Sequence, residues 1–245
     1  MHVTPIKTAP IKANEQSLEK LLDTAIDNFE NNQVLAVTSK VVSLCEGAVV
    51  PIESVTKAEL VRKEADYYLP AETNQYGFCI SIKNHTIIAS AGIDESNGNG
   101  NYVLWPKNPQ ESANRIRAYL RKRFNLQHVG VVITDSHVMP LRWGVQGTCL
   151  AYSGFAPLKN YMGQPDLFGR KLKVTKANHA EGLAASAVLV MGEGDESTPF
   201  ARISDIPFLS FVDQDPSDEE LRQLAISIEE DVFSTLLRAV SWKQG

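Results

Sequence analysis

The chain has few cysteines, no long apolar run and no excess of positive charge, and each absence argues against a class of protein. Its 245 residues include three cysteines without metal-ligand spacing, a pattern typical of reduced thiols rather than a disulfide framework or a zinc site. No apolar run approaches the ~20 residues of a membrane-spanning helix. The net charge of −5 disfavours a broad nucleic-acid-binding surface, so we expect neither a membrane nor a nucleic-acid partner.

Several standard site signatures are also missing. Residues 1–5 lack the charged and apolar regions of a signal peptide, and we therefore expect a cytoplasmic protein. The sequence contains neither a G-x-x-x-x-G-K-S/T loop nor a G-x-G-x-x-G turn, so a P-loop nucleotide site is not expected. Asp135, Ser136 and His137 are the residue types of a hydrolase triad, but adjacent residues cannot form its relay geometry.

The hydrophobic pattern predicts one mixed α+β unit. Because the elements alternate too irregularly for a doubly wound sheet, we expect largely antiparallel sheets with packed helices. No repeat or linker divides the chain, and residues 1–245 are expected to form one catalytic unit, with two intertwined subdomains as the alternative. The periodicity predicts helices at 18–29, 57–68, 110–124, 181–191 and 217–237, and strands at 34–42, 78–82, 86–91, 129–133 and 172–175.

Two segments carry a carboxylate directly after an apolar β-type stretch. Asp94 follows residues 87–89, and Asp135 with Ser136 follows residues 129–133. A bare carboxylate at the end of a buried strand would cost several kcal/mol, so each must be hydrogen-bonded, paired or metal-bound. Two such carboxylates on oxygen-rich turns indicate a Mg²⁺ or Mn²⁺ site. The alternative for either residue alone is a carboxylate that accepts hydrogen bonds from its own turn.

Glu193 adds a third acidic residue to these candidates. It lies between Gly192 and Gly194, directly after a predicted helix, where glycines let the backbone approach a ligand closely. Its alternative interpretation is a surface Glu beyond a helix C-cap. Four basic residues after Asp135 could bind anionic groups, although each alone is also an ordinary surface charge: Arg142, Lys159, Arg170 and Lys171.

Five motifs occur in the order and at the spacing of the coenzyme F420-0:γ-glutamyl ligases, a family that the chain resembles over roughly residues 8–205. They are the run at 37–47, Ala-Gly-Ile-Asp-x-Ser-Asn ending at Asn97, Ile-Thr-Asp-Ser around Asp135, Asp-Leu-Phe-Gly-Arg at 166–170 and Met-Gly-Glu-Gly at 191–194.

This resemblance implies an α+β fold, an intertwined homodimer, and addition of L-glutamate through a γ-linked amide bond to a carboxylate-bearing cofactor. It also implies GTP (or ATP) and two Mg²⁺ or Mn²⁺ ions. Asp94 and Asp135 are then expected to bind metal, with Ser136 and Glu193 near the second ion, and Arg142 joins the two aspartates as a catalytic candidate. The expected nucleotide contacts are Pro10, Ile11, Ser39, Lys40, Asn97, Gly192 and Gly194.

The implied chemistry agrees with these residue types. A carboxylate does not react with an amine in water, so the acceptor must first be activated, as an acyl phosphate. Metal ions that bridge the β- and γ-phosphates would neutralise charge during phosphoryl transfer, and Lys40 would stabilise the same charge. No side-chain nucleophile is required.

Two departures from the family pattern affect the expected acceptor. Leu44 stands where the family usually has Lys, and Met139 stands where it usually has the first of two Arg residues, which leaves Arg142. Because Arg is the natural partner of a phosphodiester, the change to Met favours an apolar or aromatic acceptor surface. Folate is therefore the alternative acceptor. An inactive nucleotide- or metal-binding homologue and a metal-dependent phosphohydrolase are the further alternatives.

Overall fold

The computed structural model describes residues 1–245 and contains thirteen strands and seven helices. The strands are β1 (His2–Ile6), β2 (Gln33–Thr38), β3 (Val49–Pro51), β4 (Tyr67–Leu69), β5 (Ile80–Lys83), β6 (Thr86–Ala89), β7 (Asn101–Val103), β8 (Val129–Val138), β9 (Val145–Ser153), β10 (Leu158–Asn160), β11 (Lys176–Asn178), β12 (Phe200–Ser204) and β13 (Lys243–Gln244). The helices are α1 (Leu18–Ala25), α2 (Ser39–Glu46), α3 (Lys57–Glu64), α4 (Pro109–Phe124), α5 (His179–Met191), α6 (Asp218–Leu224) and α7 (Ser234–Leu237).

A five-stranded sheet in the order β1-β12-β2-β8-β9 forms the centre of the molecule. Its β2–β8 pair is parallel and its other pairs are antiparallel. Alternate residues of β2 enter different cores: Leu35 and Val37 pack with α1, α2 and α4 on one face, and Val34 and Ala36 pack with α5 on the other. This double burial explains the unbroken apolar run of β2. The predicted α+β class with largely antiparallel sheets is confirmed.

A second sheet, in the order β13-β4-β5-β6, packs with α3 around a smaller core. The predicted strands at 78–82 and 86–91 correspond to β5 and β6, which pair as a hairpin, and Asn84 and His85 turn it with φ values of 49° and 59°. The chain passes from β6 through residues 90–92 to Asp94, which forms an antiparallel bridge with Val103 at the end of β7. The segment that follows the second sheet therefore places Asp94 near the central sheet.

The predicted strand at 34–42 is wrong in its second half. β2 ends at Thr38, whose side chain accepts a hydrogen bond from the Val41 N–H and caps α2. The β-branched pair Val41 and Val42 suggested a continuing strand, but both side chains are buried in the core on the α2 side. Gly47, with φ of 72°, ends the helix.

Tertiary pairing also moves several other predicted boundaries. Helix α1 ends at Ala25 rather than 29, and α3 ends at Glu64 because Tyr67–Leu69 pairs with β5. The predicted strand at 172–175 is wrong, since the pairing segment is Lys176–Asn178. The predicted final helix is two short helices, because the chain leaves helical geometry at Ala225. By contrast, α4 and α5 are confirmed within two residues of their predicted bounds.

None of the seven helices combines the length and the apolarity that a bilayer crossing requires.

Candidate active site

The site lies where the two parallel strands of the central sheet end. The last residue pair between β2 and β8 is Thr38 with Thr134, and α2 begins immediately after it. Strand β8 continues to Val138, paired beyond Thr134 only with β9. The strand prediction at 129–133 was therefore too short, and Asp135 lies inside β8 rather than on a turn after it. Beyond Thr134, the edge of β8 that had paired with β2 has no strand partner, and the candidate site lies along it.

Asp135 and Ser136 point to opposite faces of β8, because successive side chains of a strand alternate. Asp135 shares its face with Ile133, towards the core of α1, α2 and α4, whereas Ser136 faces α5. The Ser136 hydroxyl lies 2.7 and 2.9 Å from the two carboxylate oxygens of Glu193 and donates a hydrogen bond to them. Glu193 is placed there because α5 ends at Met191 with Gly192 as its C-cap.

Asp94 is bound by a lysine and by its own turn. The Lys40 ammonium lies 2.5 Å from Asp94 Oδ2, and the Ser96 N–H and hydroxyl donate to the same carboxylate at 2.8 and 2.9 Å. Partial burial alone would raise the pKa of Asp94, but the Lys40 ammonium and the two Ser96 hydrogen bonds outweigh it and lower the pKa. Asp94 is thus held as a carboxylate.

Asp135 has the opposite electrostatic character. The indole N–H of Trp105 donates to Asp135 Oδ2. Burial raises the pKa of Asp135 to about 6, and the nearby negative charge of Asp94 acts in the same direction, against the lowering by Trp105, the Ser136 N–H and Lys40. Two carboxylates that repel each other across a partly buried site favour the presence of a cation between their charges.

A hydrogen bond between two loops closes the site. The Asn97 side-chain amide donates to the Gly194 carbonyl oxygen at 3.3 Å. The Gly194 N–H donates to the Glu196 carboxylate at 2.8 Å, so its hydrogen is already used within the loop. The loop after β6 and the loop after α5 are far apart in sequence, and this contact brings Asn97, Glu193 and Gly194 to the same edge of β8.

The first turn of α2 supplies the site with positive potential. Ser39 and Lys40 are its first two residues, and the helix follows directly from the carboxyl end of β2. The free N–H groups of a helix N-terminus, together with a lysine, form a common binding site for phosphate. The structure thus places Lys40 beside Asp94 and near Asp135, with Ser39 next to it at the start of the helix.

Three predicted residues are not joined to this cluster. The Arg142 guanidinium donates to the carbonyl oxygen of its neighbour Leu141, on the exposed turn between β8 and β9, and has no hydrogen bond or ion pair with Asp94 or Asp135. Pro10 and Ile11 lie in the segment between β1 and α1, and Ile11 packs against the main core. Their expected catalytic and nucleotide-binding roles stay predictions.

The donor chemistry of the cluster suits a hard divalent cation. Its acidic side chains are not gathered into a group of three around one point: Asp94 pairs with Lys40, Asp135 with Trp105 and Glu193 with Ser136. The carboxylates of Asp94, Asp135 and Glu193 and the hydroxyl of Ser136 offer oxygen ligands, which Mg²⁺ and Mn²⁺ prefer.

Sequence reasoning missed two contributors to the site. Trp105 was not singled out, because one aromatic residue before a proline carries no signal of its own. Strand β9 was hidden in a stretch of mixed polar and apolar residues, and without it the register that places Asp135 and Ser136 on opposite faces could not be deduced.

Comparison with known proteins agrees with the motif resemblance. The model of the F420-0:Gamma-glutamyl ligase family matches residues 5–205. The Coenzyme F420:L-glutamate ligase of Methanocaldococcus jannaschii is 34% identical over an alignment of 225 residues that covers 84% of this chain and 86% of that protein. The protein of the same name from Methanopyrus kandleri is 32% identical over 208 residues, covering 77% and 80% of the two chains. The one from Archaeoglobus fulgidus is 32% identical over 214 residues, covering 81% and 85%.

Proposed function

Because the chain belongs to the F420-0:γ-glutamyl ligase family and is an amide-bond-forming ligase, we propose that it adds L-glutamate through a γ-linked amide bond to coenzyme F420-0 or a related carboxylate-bearing acceptor. The reaction consumes GTP or ATP and requires Mg²⁺ or Mn²⁺. One observation carries this proposal: Asp94, Asp135 and Glu193, which come from three distant motifs, lie with Lys40 around the open edge of β8.

Two pairs of oxygen ligands would hold the cations. Asp94 and Asp135 lie on one side of β8, and Ser136 with Glu193 lies on the other. When bound, the cations would neutralise charge on the β- and γ-phosphates. The N-terminus of α2 and Lys40 would bind the same phosphates. The present Lys40–Asp94 ion pair keeps that ammonium at the place where phosphate and cation would both be needed.

The proposed reaction has two balanced steps. A carboxylate oxygen of the acceptor attacks the γ-phosphorus, the bond to the β-phosphate oxygen breaks, and the nucleoside diphosphate leaves. The glutamate amine then attacks the acyl carbon of the acyl phosphate, loses a proton, and inorganic phosphate leaves. This chain's residues position the reactants and balance charge, which agrees with a site that contains carboxylates, a lysine and helix N–H groups but no activated side-chain nucleophile.

The two departures from the family pattern differ in meaning. Leu44 is buried on α2, where it serves packing, so the absence of a lysine there does not by itself argue for an inactive homologue. Met139 lies at the exposed turn between β8 and β9, close in sequence to Asp135. If the enzyme prefers another acceptor, such as folate, we expect the residues of this turn to determine that preference.

We also propose that a second copy of the chain covers two apolar projections. Leu141 and Trp143 in the β8–β9 turn are 96% and 91% exposed, and Leu167 and Phe168 between β10 and β11 are 98% and 95% exposed. Large apolar side chains exposed together at projecting turns commonly mark interaction surfaces. Sedimentation of the wild type as a dimer, and of the L167S/F168S variant as a monomer, would support this proposal; a monomeric wild type would contradict it.

An acceptor screen tests the catalytic proposal. The full chain is incubated with Mn²⁺, labelled glutamate, GTP or ATP, and either F420-0 or tetrahydrofolate, and the products are weighed by mass spectrometry. Addition of glutamyl units to F420-0 is expected. Labelling of tetrahydrofolate alone would identify a folate ligase, phosphate release without glutamate would identify a phosphohydrolase, and nucleotide binding without turnover would identify an inactive homologue.

A further inference from the structure

Trp105 connects the interior of the protein to the site. It lies two residues beyond β7, it is 3% exposed, and its indole N–H donates to Oδ2 of Asp135. Asp135 belongs to a different sheet and is thirty positions away in sequence. The carboxylate is therefore held by a buried side chain that comes from outside its own sheet.

The backbone next to Asp94 is shaped to admit this indole ring. Ser90, Ala91 and Gly92 have φ values of 52°, 54° and 72°, a left-handed conformation that is unfavourable for the two residues with a Cβ. A Cβ added at Gly92 would collide with the five-membered ring of Trp105. Close packing of Trp105 thus accounts for the glycine of the Ala-Gly-Ile-Asp motif in this chain, and it couples the placement of Trp105 to that of Asp94.

A partly buried ion pair also lies near the ring. The Lys83 ammonium lies 5.6 Å from the centre of the Trp105 ring and 2.6 Å from a carboxylate oxygen of Glu64. The Lys83 side chain is only 11% exposed. Because little water screens its charge, the cation–π attraction between the Lys83 ammonium and the indole ring is appreciable. Lys83 and the backbone at Gly92 thus both restrict where the indole ring can lie.

We propose that Trp105 is a positioning residue that presents Asp135 to a divalent cation. One carboxylate oxygen is tied to the indole N–H, and the remaining lone pairs of the carboxylate are oriented for the metal before it arrives. This inference rests on the proposed function and deepens it, because it assigns the orientation of one metal ligand to a residue outside the motifs. Removal of a residue that orients a metal ligand through a hydrogen bond typically lowers metal affinity about 10- to 100-fold.

The test compares two tryptophan variants that each lose one indole N–H hydrogen bond. Trp105→Phe keeps an aromatic ring but loses the bond to Asp135, and Trp242→Phe loses the 2.7 Å bond to the Leu237 carbonyl oxygen, near the C-terminus. Mn²⁺ affinity is measured from the electron paramagnetic resonance signal of the free ion. We expect affinity to fall at least about tenfold for W105F and to stay unchanged for W242F. Turnover of W105F at saturating Mn²⁺ should recover to near the wild-type level.

A second measurement does not depend on the folding of W105F. The chain has three tryptophans, so the W143F/W242F variant reports on Trp105 alone. Mn²⁺ bound at Asp135 should quench its fluorescence, and diamagnetic Mg²⁺ should not. Equal Mn²⁺ affinity of W105F and the wild type would overturn this inference alone, whereas no quenching of Trp105 by bound Mn²⁺ would place the ion away from Asp135 and overturn the proposed metal site with it. Failure of the wild type to bind Mn²⁺ at all would overturn the proposed function as well.

Discussion

The Lys40 ammonium lies 2.5 Å from Oδ2 of Asp94, and this ion pair joins the first turn of α2 to the loop that follows β6. A neighbouring pair, Lys57 with Glu95 at 3.1 Å, lies one residue further along the same loop. The two lysines have similar carboxylate partners, but Lys40 also begins the helix at the end of β2.

This difference predicts the effect of Lys40→Met. The variant keeps the length of the side chain but loses the ammonium that we propose donates to the phosphates, so the dissociation constant of the Mg²⁺–nucleotide complex should rise about tenfold or more. Titration calorimetry gives this constant, and Lys57→Met serves as the matched control, with an expected change below about twofold. Equal losses in both variants would show that Lys40 has no special role at the phosphates.

A second prediction concerns the loop after α5. Glu193→Gln keeps the shape of the side chain and its hydrogen bond with Ser136 but removes one negative charge from the proposed metal-binding side chains. We expect weaker Mn²⁺ binding and a fall in glutamate incorporation of about tenfold or more, as measured by Mn²⁺ titration and labelled glutamate. The control is Asp195→Asn, an exposed position in the same loop. An unchanged Mn²⁺ titration of E193Q would remove Glu193 from the ligand set.

A third prediction follows from the raised pKa of Asp135. Burial lifts this pKa from 3.8 to about 6, so the folded state binds the proton more tightly than the unfolded state. Ionised Asp135 therefore destabilises the metal-free fold above pH 6, by up to about 3 kcal/mol, and the penalty disappears as the pH falls below 3.8.

Asp135→Asn should accordingly stabilise the protein in EDTA at pH 8 and be close to neutral near pH 4. Urea unfolding at the two pH values measures this difference. Adding Mn²⁺ at pH 8 should reverse the order, because it stabilises the wild type and not the variant. Destabilisation by D135N at pH 8 in EDTA would contradict the electrostatic account of this residue.

A fourth prediction concerns the attachment of the C-terminal segment, which lies outside the residues matched by the family model. Arg117 on α4 is 3% exposed and donates to the carbonyl oxygens of Val129, Val212 and Asp213 and to the Asp215 carboxylate. Arg117→Met should cost about 2–4 kcal/mol of unfolding free energy, since it removes the side chain that donates to the buried Val129 carbonyl and, in part-buried contacts, to the Val212 and Asp213 carbonyls.

Urea denaturation checks this value against Arg121→Met, which removes a more exposed arginine with longer hydrogen bonds from the same helix. R121M should change stability by less than about 1 kcal/mol. Similar values for the two variants would mean that Arg117 does not anchor the segment.

Local signals were sufficient to predict much of the fold. Helix α1 is preceded by Ser17, whose hydroxyl accepts from the Lys20 N–H, and its apolar residues recur at helical spacing. Gly192 ends α5, as its position directly after the predicted helix indicated. These features depend on residues within a few positions of each other, which is why the sequence alone reveals them.

Tertiary pairing decided what the sequence could not predict. Thr38 ends a strand and caps a helix within one step, and nothing local distinguishes that turn from a longer strand through Val41 and Val42. At the site, too, local motifs could be predicted from the sequence and tertiary contacts could not. The acidic motifs could be recognised, but the Trp105–Asp135 hydrogen bond and the opposite facing of Asp135 and Ser136 depend on how three separate segments pack.

The most direct test is anomalous X-ray diffraction from crystals of the protein soaked with Mn²⁺ and a non-hydrolysable GTP analogue. We predict manganese peaks within ligand distance of the Asp94 and Asp135 carboxylates, with the phosphates beside Lys40. Bound nucleotide with no manganese at either aspartate would contradict the claim that these carboxylates form the metal site of a ligase.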